Sequence, residues 1–361
     1  MSSKHRRYII LFVLLLASFY LSINFNTSDY AFIPRETFVN LTAWIKVTFR
    51  SIFDSRFVPE TVTDSLPFYA QTVARVKMSL IALFSGIAVC LGGAVFQTVF
   101  KNPIASPNLL GISTGVSLGN IVFVVIYQLA AMSHLTDRYF FCYGFAAILL
   151  MLTFSAGKLA NRKTAGFSIE TMIIIGMMVS QLGGVFMTYF QSVLEGDETG
   201  LAEIYTAISS GNLIYVDNVS LIVFAVMMGF TILPMLLIRY RFNLVAFEDA
   251  EVKTMGISNN GLRFLGLLLG SLMATAAMIH SGEVGLLSMA VPFMCRKKLH
   301  AEFGEVAITS VLVGGILTLV SRTVFTFITS FGFLVPSGTI LTLVLLPVFV
   351  YSLIKRESAF A

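Results

Sequence analysis

Residues 92–115 read Gly92-Gly93-Ala94-Val95-Phe96-Gln97-Thr98-Val99-Phe100-Lys101-Asn102-Pro103-Ile104-Ala105-Ser106-Pro107-Asn108-Leu109-Leu110-Gly111-Ile112-Ser113-Thr114-Gly115. An apolar, glycine-rich run ends at Phe100, a polar break follows at Lys101-Asn102, and a second apolar run begins at Leu109. Pro103 and Pro107 bracket a short turn: proline lacks the amide donor a helix needs and restricts the residue before it. The stretch therefore reads as two membrane-crossing helices joined by a tight turn, with Lys101 marking the inner face. Gly111, Gly115 and Gly119 recur every four residues, a helix face without side chains where another helix can approach closely. Gly266 and Gly270 repeat the device. By itself this pattern speaks only of helix packing.

Composition agrees. Of 361 residues, 57% are hydrophobic and 12% charged, against roughly 45–50% and about 25% in ordinary soluble domains, which excludes a soluble enzyme. The formal charge of +5 does not point to nucleic acid, because no basic patch interleaves with aromatics and the cations sit at the ends of apolar runs, as topology signals do. Cys90, Cys142 and Cys295 lie far apart in apolar surroundings, without metal-ligand spacing, and read as buried thiols rather than a disulfide framework or a zinc site. Lys4, Arg6 and Arg7 precede the apolar run Tyr8–Leu21, as in a signal peptide. No clean small-x-small cleavage site follows and many further apolar segments do, so residues 1–24 read as an uncleaved first span.

A crossing needs about 20 mainly apolar residues. Candidates lie near 8–24, 78–100, 109–129, 139–157, 170–190, 218–238, 306–330 and 338–354. The piece 262–294 is too long for one crossing and short for two, and Ser281-Gly282-Glu283 interrupts it. We read two short helices meeting in a tight turn, admissible where the turn is shielded by protein or lines a cavity. The expected fold is thus all-α and polytopic, with about ten transmembrane helices and both termini cytoplasmic. Residues 25–72 form an external loop, and 73–361 hold the remaining membrane domain. Most of the 24 Lys and Arg then fall inside, and a single helix over 262–294 would flip Arg296-Lys297-Lys298 outside.

The run from Gly92 through Gln97, Asn102-Pro103-Ile104-Ala105, Pro107 and Leu110-Gly111-x-x-x-Gly115 resembles the FecCD-type permeases of ABC importers, where a Gln, an Asn-Pro-Leu-Ala segment, a second Pro and a Leu-Gly-x-x-x-Gly run share this order and spacing. Gly282-Glu283-Val284-Gly285, leading to Val291-Pro292, is similar to a second signature of that family, and Pro336-Ser337-Gly338 with its closing helix to a third. The resemblance runs from about residue 70 to the C-terminus. Departures are Arg75-Val76-Lys77-Met78 in place of Arg-Leu-Pro-Arg, Phe293 in place of a His, and Ile208 in place of a Trp.

The resemblance implies a type II ABC importer permease in a bacterial cytoplasmic (inner) membrane, carrying a ferric siderophore, haem or cobalamin. Its partners would be a second permease chain, identical or different, two ATP-binding subunits inside and a substrate-binding protein outside. The chain itself has no Gly-x-x-x-x-Gly-Lys-Ser/Thr loop to cradle phosphates; ATP would be used by the partner subunit, and no cofactor or metal is expected on this chain. By resemblance, the loop 242–258, with Asn243-Leu244, Asp249 and Met255-Gly256, contacts the ATPase; the other reading is a solvated loop. Arg75 matches an Arg that meets a carboxylate of the binding protein, or serves as an interfacial anchor. Arg322, a cation inside an apolar run, is costly unless paired or hydrated; it pairs with Glu283 or lines the vestibule. The rival reading is an ion-gradient-driven secondary transporter, whose mid-span acidic or His residues are hard to find here: His5, His134, His280 and His300 fall at ends and loops.

Overall fold

The computed structural model describes residues 3–26, 31–53, 68–130, 137–160, 169–195, 200–209, 218–247, 259–282, 285–299, 302–329 and 337–354. Helix α1 (Ser3–Asn24) leads through a two-residue hairpin, β1 (Phe25–Asn26) and β2 (Ala31–Phe32), into α2 (Pro34–Phe53). There follow α3 (Tyr69–Val99), a 3-10 helix at Pro107–Leu110, α4 (Ile112–Ala130), α5 (Asp137–Ala160), α6 (Ile169–Glu195), α7 (Leu201–Ser209) and α8 (Asn218–Leu237). A 3-10 helix at Arg241–Ala246 precedes α9 (Asn259–Ser281), α10 (Gly285–Leu299), α11 (Phe303–Thr329) and α12 (Ser337–Ile354).

Seven described helices are long and apolar enough to cross a membrane, those within α1, α3, α5, α6, α8, α9 and α11; the apolar segments Ile112–Ile126 and Gly338–Ile354 are shorter. Where the sequence suggests ten crossings, the remainder are short: the 15 residues of α10 span only about 22 Å at 1.5 Å per residue. The piece 262–294 does divide into two helices, α9 and α10, and Gly282 between them has φ +66°, a left-handed conformation that costs glycine little. The stretch 25–72, expected as a loop, contains the hairpin and the 20-residue α2.

Helix α3 is the hub. It packs on α11, α9 and α10, and nearly every residue from Ala88 to Val99 is buried. The core formed around it joins Val95 and Phe96 of α3 to Leu267, Met273 and Ala277 of α9, Val291 of α10 and Val306 of α11. Helices α1 and α6 lie at the periphery, mostly outside the packed interior, with large apolar side chains outward, as lipid contact requires.

Candidate functional site

The elbow between α3 and α4 follows from residues 92–115. Helix α3 ends at Val99, Lys101 takes φ +46°, and the Asn102 side-chain oxygen accepts the Ile104 N–H at 3.1 Å, an Asx-type turn that holds the chain ahead of Pro103. The Ala105 N–H donates to the Asn102 carbonyl at 3.1 Å and the Asn102 N–H to that of Gln97 at 3.2 Å. Pro107 opens the 3-10 helix, and Gly111, at φ +81°, closes it. Beyond it α4 and α5 approach through glycine: a Cβ on Gly115 would stand 2.6 Å from the Ala146 Cα, and one on Gly119 2.5 Å from the Cys142 Cα.

The elbow motif and the Val-Pro motif of α10 are the two sides of one seam. Pro292 has no N–H, so the Ser288 carbonyl one turn earlier lacks its helical donor, and the backbone of Gly93 lies against that carbonyl; a Cβ there would come to 1.7 Å. One turn on, Gln97 donates its side-chain N–H to the Met289 carbonyl at 2.8 Å, and Arg296 reaches back to the Thr98 hydroxyl at 2.8 Å. Gly92 performs the same service toward α9, where a Cβ would stand 3.2 Å from the Gly270 carbonyl.

At the same end of the helices, the 3-10 helix at Arg241–Ala246 is fastened to the core. Phe242 is fully buried; its ring lies 5.1 Å from that of Phe303 and fills the space over Gly266, whose added Cβ would be 2.4 Å from the Phe242 Cζ. Asn243 donates to the Glu302 carboxylate at 2.7 Å, and the Leu244 carbonyl accepts the Phe247 N–H at 3.1 Å. Asp249, Met255 and Gly256 lie outside the described residues. At the other end of α1, Lys4 is paired with Glu305.

At the opposite ends of the helices, Arg75 and Arg322 have partners within the chain. Arg75 is 7% exposed and donates to the Thr72 hydroxyl at 3.0 Å and the Phe25 carbonyl at 3.4 Å. Those two donors are turned to the hairpin and α3. Arg322 is buried, donating at 2.9 Å to the Ser22 carbonyl and 2.7 Å to its hydroxyl. One terminal guanidinium nitrogen is thus bonded to the end of α1 and the other faces the Met78 sulfur at 3.7 Å, hydrogen bonding that offsets part of the cost of burying the charge. Glu283 and Pro336 lie outside the described residues; Gly338 is buried at the start of α12.

Two features escape sequence reading. A cavity of about 580 Å³ is lined by Gln191, Tyr205, Ser209, Ser281, Thr339 and Thr342, among others, and α6, α7, α9, α10 and α12 all contribute to it. Single hydroxyls scattered over 150 residues give no pattern. His280, which the sequence places at a span end, is in fact buried, against the Tyr139 hydroxyl and the edge of Phe224 at 5.2 Å. Arg138 donates beside it to the Ile279 carbonyl at 2.6 Å. The signal for this cluster was only the Arg138-Tyr139 pair at the start of α5.

A model of the FecCD transport family matches residues 8–355. The probable iron chelatin transport system permease protein of Helicobacter pylori (strain 26695) is 27% identical over 290 residues, 78% of this chain and 82% of that protein. The hemin transport system permease protein HmuU of Yersinia pestis is 26% identical over 285 residues, 77% and 80%. The molybdate import system permease protein MolB of Haemophilus influenzae is 25% identical over 257 residues, 70% and 73%. A solved metal-chelate type ABC transporter in an inward-facing conformation superposes with a TM-score of 0.75, covering 98% of this chain and 100% of that one at 20% identity, a likeness of fold.

Proposed function

The chain belongs to the FecCD transport family, and on that premise we propose that it is the membrane-spanning permease subunit of an ABC importer for a metal chelate. The cargo class is a ferric siderophore, haem or a cobalamin-type ligand. The observation that carries the reading is the seam of α3 and α10, where Gly93, Gln97 and Pro292 explain each other's presence, within a family match over nearly the whole chain. Relatives named for iron chelatin and hemin transport support the cargo class.

In this reading the chain crosses a bacterial cytoplasmic membrane ten times, α1, α3, α4, α5, α6, α8, α9, α10, α11 and α12 forming the crossings, with both termini inside. A second permease chain completes the path. Two ATPase subunits dock on the segment 242–258, and a binding protein delivers cargo from outside. Nucleotide-driven closure of the ATPases would move the 3-10 helix at Arg241–Ala246, and Phe242 and Asn243 would pass that displacement to α9 and α11. Gly338, at the start of α12, lines the cavity. The charged side chains buried among the described residues are Arg75, Arg263, Lys297 and Arg322, cations rather than the carboxylates that proton- and sodium-coupled carriers use.

The test is assembly. Purification through a tag on this chain, co-expressed with a family ATPase, should recover both in equal number, with hydrolysis stimulated by the cargo-loaded binding protein. A chain that purifies alone and transports without any ATPase would contradict the reading.

A further inference from the structure

Helix α2 is inside out for a helix bathed in water. Its buried positions are polar, Thr37 and Asn40 at 2% and 1% exposure, while Phe38 at 68% and Ile45 at 56% face away from the protein, with Val39 beside them. A surface helix of a water-soluble domain buries its apolar stripe and exposes its polar one; α2 does the reverse. The remaining exposed positions of α2 are Pro34, Arg35 and Lys46, and Glu36 is half-buried. Apolar side chains mixed with cations, and no exposed carboxylate, suit the boundary between acyl chains and headgroups, where long basic side chains lay their stems on the hydrocarbon and lift their charges to phosphate.

The position of α2 fits that boundary. The Ile33 N–H, one residue before α2, donates to the Asn24 carbonyl at the outer end of α1 at 3.1 Å. Asn40 donates to the Thr72 hydroxyl in the first turn of α3 at 3.2 Å. The hairpin's Phe25 ring lies 6.2 Å from Phe327 at the outer end of α11, and Phe32 stands edge-on to Tyr20 of α1 at 5.5 Å. Helices α1 and α3 therefore hold α2, and α11 packs on the hairpin that leads into it, at the level where these helices leave the bilayer. Its outward face continues the lipid-facing surface of α1, which exposes Phe12, Leu16 and Tyr20.

We propose that α2 is an interfacial anchor that lies in the outer leaflet, with Phe38, Val39 and Ile45 among the acyl chains and Arg35 and Lys46 on the phosphates of anionic phospholipid. The anchor explains cations on the outer side that topology alone does not. It ties the Arg75–Thr72–Asn40 network at the head of α3 to the bilayer surface, and it does not depend on the cargo.

Trp44, on α2, is the single tryptophan of the chain, so the full protein carries its own reporter. In phosphatidylglycerol vesicles, lipids brominated near the headgroup end of the acyl chain should quench Trp44 fluorescence about twofold, and aqueous acrylamide should quench it weakly. Moving the reporter outward, W44F with F38W, should strengthen the lipid quenching. Replacing Arg35 and Lys46 by Gln should remove the difference between phosphatidylglycerol and phosphatidylcholine vesicles. Strong acrylamide quenching with none from bromolipid at either position would overturn the proposal. So would equal lipid quenching of the unaltered chain in the two vesicle types, or a tryptophan shielded only when an extracytoplasmic binding protein is added.

Discussion

At the residue scale, the α3–α10 seam rests on atoms that are absent. Gly93 has no Cβ where the Ser288 carbonyl sits, and Pro292 has no N–H to occupy that carbonyl. Ala at position 93 should lower the unfolding midpoint of the purified chain, the cost of forcing atoms into a packed interior being about 1–3 kcal/mol. Ala at position 144, where nothing lies within 4 Å of an added Cβ, serves as the control and should be neutral or mildly stabilising. Equal effects at both sites in a thermal melt would remove the seam from the account. Arg75 is decided at this scale too. Because its donors go to Thr72 and Phe25, R75M should reduce stability by about 1–3 kcal/mol, the desolvation left by unpaired buried acceptors, and leave binding-protein affinity unchanged. Weakened docking with an unaltered melt would instead support the docking role that the sequence match suggests.

At the element scale, the inner 3-10 helix is coupled to α9 and α11 through one ring. Adding a methyl at Gly266 brings it to 2.4 Å from the Phe242 Cζ, so G266A should lift Phe242 from its seat and lower transport per ATP hydrolysed several-fold. F242L, which shortens the intruding side chain, should recover part of that loss in the double variant. A double variant no better than G266A in coupled transport assays would argue that the two residues do not communicate. This element also marks how far sequence reading reaches. Glycine repeats, Pro103, Pro107 and Pro292 were legible because a close helix approach or a helix end demands one residue type at one place. The anchoring by Phe242 was not, because one Phe among 33 carries no sign of which cavity it fills. Helix α2 was missed for a related reason: its polar side faces protein and its apolar side faces outward, mixed with Arg35 and Lys46, so it fits neither a span nor a soluble amphipathic helix.

At the scale of the whole molecule, composition and cation placement were enough for a polytopic helical membrane protein, and the order of motifs was enough for the family. The pairing of Arg322 with Ser22, 300 positions apart, and the convergence of five helices on one cavity depend on packing that no local pattern encodes. In the proposed reading the molecule contributes to a path, carries a coupling element and relies on a separate engine. The direct measurement is uptake of a labelled ferric chelate into proteoliposomes that contain this chain with its ATPase partner, with ATP enclosed and the loaded binding protein outside. Uptake should require hydrolysable ATP and persist when ionophores collapse proton and sodium gradients. Uptake by this chain alone, driven by an ion gradient and abolished by ionophore, would contradict it.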